Sequence, residues 1–220
     1  MHELFLDRIE AGKRLAKRLG HYHASDAAVL AIPCGGVPVA ASVAHRLGLP
    51  WNVIVVRKLA IPWNPEAGFG AVAADGSVVI NSAMVGALGM SRGDIDKVVT
   101  ATREEIDRRN QAFGSLAPRI DVSGKCAIVI DDGLASGYTM LAAIKSMRAG
   151  SASKVVAAAP VASRSAAALV GEAVDECVFE IVSPTVPFAV ADYYVEWHDL
   201  SDDDVMQLLQ AAKDGAPAGS

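Results

Sequence analysis

Aromatic residues are scarce, only 5% of the 220-residue chain. Ala and Val instead dominate an apolar fraction of 52%, the composition of parallel strands packed under helices. Cysteine is scarce as well. Cys34, Cys126 and Cys177 are scattered, odd in number and form no Cys-x-x-Cys pair, so neither a disulfide framework nor a zinc knuckle is expected. His2, His21, His23, His45 and His198 share no ligand spacing, so no transition-metal site is expected. Positive charge is in deficit, with a net charge of −5. A nucleic-acid surface needs clustered Lys and Arg and is not expected, whereas a small anionic ligand needs only a local positive site. No apolar run reaches membrane-spanning length, and residues 1–20 mix acids and bases without a signal-peptide pattern. A soluble, cytoplasmic protein without a membrane partner is the expectation. Neither a Gly-Lys-Ser/Thr loop nor a Gly-x-Gly-x-x-Gly turn after a strand is present.

What is present alternates. An amphipathic helix is expected over 4–19, where Phe5, Ile9, Leu15 and Leu19 are apolar and Arg8, Lys13, Arg14 and Lys17 lie between them. Strands are read at 27–33, 52–57, 126–131, 154–160 and 176–182, and helices at 37–48, 138–150 and about 163–171. Residues 71–80 read as a β-hairpin around Asp75-Gly76. Residues 58–70 hold two prolines and two glycines and are read as irregular. Ser91 with Asp94 marks the start of a long charged helix to about 113, and Ser201 caps a last one. The pattern predicts an α/β fold of three layers around a central, mainly parallel sheet. Residues 1–212 are read as one domain and 213–220 as a disordered tail. Ligands in such folds sit beyond the carboxyl ends of the strands, where loops 33–37, 58–70 and 131–139 fall.

The most informative stretch is "IVIDDGLASGYTM", residues 128–140. An apolar strand ends in two adjacent carboxylates, Asp131 and Asp132, whose repulsion demands a compensating partner. Gly133, Ala135, Ser136 and Gly137 are small enough for backbone N–H groups to approach a ligand. The loop opens on a helix N-terminus, and Ser136 and Thr139 add hydroxyls. Together these form a phosphate cradle without a lysine. A ligand with a phosphate at one end and vicinal hydroxyls nearby, such as ribose 5-phosphate, satisfies both halves. The carboxylates accept from its hydroxyls directly or through hydrated Mg²⁺.

This stretch closely resembles the phosphoribosyl-pyrophosphate signature of the type I phosphoribosyltransferase family. "IPCGGVPVA" (32–40) resembles the family's pyrophosphate loop, and "VRKLAIPWNPEAGFGAV" (56–72) its flexible-loop region. "SPTVPFAVADYYVEWHDLSDDDV" (183–205) is similar to the C-terminal hood of one bacterial and archaeal branch. The resemblance implies a phosphoribosyltransferase that moves ribose 5-phosphate from phosphoribosyl pyrophosphate to a nitrogenous base, releasing pyrophosphate. It implies Mg²⁺ as cofactor, held mostly through water at Asp131 and Asp132, and a homodimer. Gly133, Leu134, Ala135, Ser136, Gly137, Tyr138 and Thr139 would surround the 5-phosphate. Cys34, Gly35 and Gly36 would form the pyrophosphate loop, with Cys34 standing where the family often has Arg or Lys. Arg57 and Lys58 would clamp the leaving group, and residues 64–66 would belong to a lid. Phe188, Tyr193 and Tyr194 of the hood, with Trp197, would give a base its stacking wall. The hypoxanthine–guanine branch has an acid where this chain has Ala135, so 6-oxopurines lose support as acceptors. Two rivals are a non-catalytic regulatory module that binds phosphoribosyl pyrophosphate or a nucleotide, and a domain for another phosphorylated sugar.

Overall fold

A computed structural model describes residues 4–116 and 120–214; the expected tail lies almost wholly outside them. Five strands form a parallel sheet: β1 (Ala28–Ala31), β2 (Trp51–Val53), β6 (Cys126–Ile130), β7 (Lys154–Ser163) and β8 (Glu176–Ser183). Their order is β2-β1-β6-β7-β8, and every pairing is parallel. The central strands β1, β6 and β7 are Ala/Val/Ile-rich and buried on both faces, as parallel strands under helices must be, while the flanking β2 and β8 are partly exposed. Alternate residues supply the two faces. Val29, Ala31, Ile128, Ile130, Val156 and Ala158 pack against α1 (Arg8–Arg18) and α2 (Gly36–Leu47). Ala28, Leu30, Ala127, Val129, Val155 and Ala157 pack against α5 (Tyr138–Ala149) and α6 (Arg164–Gly171). The three-layer α/β expectation holds.

Several local readings change. The first helix starts at Arg8, because Asp7 caps it by accepting from the Glu10 amide at 2.6 Å. Residues 4–6 are instead extended, and Phe5 bridges to Tyr194. The expected strand 52–57 splits: β2 ends at Val53, and β3 (Val56–Ile61) leaves for a second sheet of antiparallel order β3-β4-β5, with β4 Asn64–Ala73 and β5 Val78–Ile80. Residues 58–70 are thus mostly regular hairpin, not irregular loop. Register shifts at Leu59/Ala60 and Ala60/Ile61 absorb the awkward residues, and Pro62 sits in the connection, where no ladder N–H is required. The β4–β5 turn at Asp75-Gly76 is as expected, with Gly76 at φ +88°. Helix α3 (Ser82–Ala87), not anticipated, is capped by Asn81. The expected capping box is present at α4 (Arg92–Gly114), and the expected Ser201 cap of α7 (Asp202–Lys213) is a capping box as well, with Asp204. Among the described residues no helix is long and apolar enough to cross a membrane.

Candidate active site

The chain leaves β1 toward β2 on one side and leaves β6 toward β7 and β8 on the other. The strand order therefore reverses between β1 and β6, and the crevice at that reversal is where open α/β sheets bind ligands. Ala31 lies opposite Ile130. The turn 32–35 and the loop 131–137 consequently leave the sheet side by side. Their contact is close: a Cβ on Gly35 would fall 1.9 Å from Asp132 Oδ2, and one on Gly36 would fall 2.7 Å from the Ile130 carbonyl oxygen. Only glycine permits this approach at position 35. The Pro33–Cys34 peptide is cis.

The loop after β6 divides its amides. Asp131 donates to the Ala158 carbonyl at 3.3 Å, and Leu134 to that of Val161 at 2.9 Å. Asp132 donates to the Asp131 carboxylate at 2.9 Å. Among the described residues, the amides of Gly133, Ala135, Ser136, Gly137, Tyr138 and Thr139 have no protein acceptor, and no side chain caps α5. Those six are the cradle positions of the sequence reading. Leu134 is different: it is 1% exposed and bridges to Ala162, so it anchors the loop and gives no donor to a ligand. Ser163 Oγ donates to the Ala135 carbonyl at 2.7 Å and pins the loop from β7. Val190, in a short 3-10 turn (Val190–Tyr193), covers Gly133, where a Cβ would meet its Cγ1 at 2.4 Å.

The partner that the adjacent aspartates require is Arg8. Its Nε donates to Asp132 Oδ2 at 2.8 Å, with side-chain exposures of 7% and 13%. Its Nη1 donates to the His198 carbonyl at 2.9 Å, and its guanidinium lies 3.9 Å from the Trp197 ring centroid. Burial and the neighbouring charge of Asp132 push the Asp131 carboxyl well above the usual range. Burial also raises Asp132, against the pull of Arg8. Sequence reasoning passed over Arg8, although a signal existed. The buried face of α1 is Arg8, Ala11, Gly12, Leu15 and Ala16, so an arginine occupies the first position of an apolar stripe.

Arg57 and Lys58 do not stand beside the carboxylates. They lie in β3, in the second sheet; Arg57 Nη2 pairs with Glu105 at 2.6 Å, and Lys58 Nζ donates to the Glu66 carbonyl at 2.7 Å. The pyrophosphate turn also departs from expectation. The Gly36 amide donates to the Ile32 carbonyl at 3.1 Å and the Val37 amide to that of Cys34 at 3.2 Å. Gly36 is therefore not a free donor. Cys34 Sγ contacts Asp202 Oδ1 at 3.4 Å and Arg109 Nη2 at 3.8 Å.

The aromatic wall is only partly available. Tyr193 is 2% exposed, and its hydroxyl bonds to Ser183 Oγ. Tyr194 is 6% exposed; its hydroxyl donates to the Asp132 carbonyl at 2.7 Å, and burial holds its phenol far above the usual range. Both rings are core, and Tyr194 braces Asp132; neither is an open stacking face. Phe188, half-buried 5.5 Å from the Tyr193 ring, and half-buried Trp197 keep some exposure.

With the crevice defined, its relatives can be compared. The sequence pattern of the family described as Phosphoribosyl transferase domain matches residues 73–197, more than half the chain. Two Mycobacterium tuberculosis proteins, "Putative phosphoribosyl transferase MT0597" of strain CDC 1551 / Oshkosh and "Putative phosphoribosyl transferase Rv0571c" of strain H37Rv, are each 39% identical over 219 residues. The alignment covers 99% of this chain and 49% of theirs, so the chain spans about half the length of those curated relatives. The crystal structure of TT1426 from Thermus thermophilus is 32% identical at a TM-score of 0.78, covering 94% of this chain and 98% of that one. The chain belongs to the phosphoribosyl transferase domain family.

Proposed function

We propose that this chain transfers ribose 5-phosphate from phosphoribosyl pyrophosphate to a nitrogen nucleophile. The observation that carries the reading is the juxtaposition at the sheet's reversal point of six acceptor-less amides with a largely buried carboxylate pair. The amides of Gly133 and 135–139 take the 5-phosphate, helped by the N-terminus of α5. Asp131 and Asp132 accept from the ribose hydroxyls. The C1–N bond forms as the C1–O bond to pyrophosphate breaks, the electron pair leaves with pyrophosphate, and the nitrogen gives its proton to solvent. The chain's part is positioning and charge stabilisation.

The donor set fits a hard cation. Two carboxylates share one arginine, and burial has raised both, so a second positive charge would restore their ionised forms. Paired carboxylates suit Mg²⁺, an ion that keeps several waters and takes ligand oxygens. Asp131 and Asp132 would hold it mostly through water, and it would neutralise charge on the departing pyrophosphate. The acceptor would enter beside Phe188 and Trp197.

The test is pyrophosphate release from phosphoribosyl pyrophosphate with a panel of nitrogenous bases. Release with at least one base supports the transferase. Because Ala135 leaves no acid for a 6-oxopurine, hypoxanthine and guanine should release no more than a no-base control. Tight binding of phosphoribosyl pyrophosphate without release for any base would favour the regulatory module.

A further inference from the structure

Pyrophosphate is highly charged, and the turn that should receive it is poor in donors. Its Gly36 and Val37 amides are used internally, and Pro38 has none. Among the described residues only the Cys34 and Gly35 amides remain without acceptors. The Cys34 side chain is never a cation, and burial raises its thiol, so it stays neutral.

One cation does touch the turn. Arg109, from α4, places Nη2 3.8 Å from Cys34 Sγ. Asp202, at the first turn of α7, holds the guanidinium as a fork, with Nε to Oδ2 at 2.9 Å and Nη2 to Oδ1 at 2.6 Å. The two partners differ in access: the arginine side chain is 13% exposed and the aspartate 40%. One helical turn earlier on α4, Glu105 holds Arg57, and residues four apart share a helix face. The Arg57–Glu105 and Arg109–Asp202 ion pairs therefore sit on a single stripe of α4, with Cys34 touching one end.

We infer that Arg109 is an anion-binding residue for pyrophosphate, its guanidinium exchanging the Asp202 carboxylate for a ligand phosphate. The guanidinium fork matches a phosphate as well as it matches a carboxylate. Asp202, the more exposed partner, is the one that water can take over. The inference rests on the transferase reading and adds the source of positive charge that the turn lacks. The rival explanation is a staple that only ties α4, α7 and the turn together.

Calorimetry of the full chain in one magnesium-containing buffer separates them, titrating pyrophosphate and ribose 5-phosphate independently. Arg109→Gln should weaken pyrophosphate by about tenfold or more, the loss of a charge-assisted hydrogen bond, and leave ribose 5-phosphate unchanged. Arg109→Lys should restore part of the loss. Asp202→Asn should tighten pyrophosphate, because it releases the fork. A staple predicts that Arg109→Gln and Asp202→Asn fail in the same direction and for both ligands. Any pattern in which Arg109→Gln does not selectively weaken pyrophosphate, or Asp202→Asn does not tighten it, overturns the inference. Should Arg109→Gln not fold, Asp202→Asn decides alone: tighter binding supports, equal or weaker binding overturns. Failure of ribose 5-phosphate to bind the unsubstituted chain would overturn the transferase reading, and this inference with it.

Discussion

Asp131 and Asp132 are adjacent in sequence and unequal in surroundings. Asp132 has Arg8 at 2.8 Å; Asp131 is raised further by burial and by its neighbour's charge. An unfolded aspartate titrates at about 3.9. Below that value both states are protonated and Asp131 costs nothing. As pH rises from about 3.9 through the elevated folded value, the unfolded state ionises first and stability is lost. Asp131→Asn should therefore raise the ligand-free Tm at pH 7, and the gain should vanish at or below about pH 4. A melt series across that range checks it; equal Tm values at pH 7 contradict it. Asp132→Asn should gain less or lose, because it weakens the only ion pair of buried Arg8 among the described residues. Arg8→Gln leaves Asp132 buried without its cation and should cost about 3–5 kcal/mol in urea denaturation. The pair was legible in the sequence because two acids after an apolar strand have few structural uses. Arg8 and Arg109 were not, because they meet their partners across 124 and 93 residues of chain respectively.

Elements were read best where a local signal decides them. The capping serines at 91 and 201 marked helix starts to within a residue, because a cap is a contact between neighbours in sequence. Residues 58–70 were misread for the opposite reason. Glycine and proline argue against a strand locally, yet β3 and β4 pair across most of that stretch with a shifted register, a tertiary choice that overrides propensity. The turn 32–36 was recognised by its two glycines, and the structure separates their roles. Gly35 makes room for Asp132, whereas the Gly36 amide serves the turn itself. Gly35→Ala places a methyl against the Asp132 carboxylate. It should abolish phosphoribosyl-pyrophosphate binding measured by calorimetry, while far-UV circular dichroism stays unchanged. Unaltered affinity would mean that Asp132 does not need that position to receive the ligand.

At the scale of the molecule, the fold follows from alternation. Period-two strand residues feed two separate helix layers, so the central strands β1, β6 and β7 are buried on both faces. Removing one such residue tests the scaffold apart from the site. Ile128→Ala, fully buried between β6 and its helix layer, should cost about 2–5 kcal/mol in urea denaturation with an unchanged m-value. Strand order was the part that the sequence could not display, because β1 and β6 pair across nearly a hundred residues of intervening chain; yet that pairing sets the two candidate loops side by side. The central claim is that these loops form one site for phosphoribosyl pyrophosphate. Its most direct test is calorimetric titration of phosphoribosyl pyrophosphate, with Mg²⁺, into the unsubstituted chain and into Asp131→Asn. One ligand should bind per chain, with binding weakened about tenfold or more in the variant by the loss of a charged hydrogen bond. No heat with the unsubstituted chain, or equal affinity in both proteins, would contradict it.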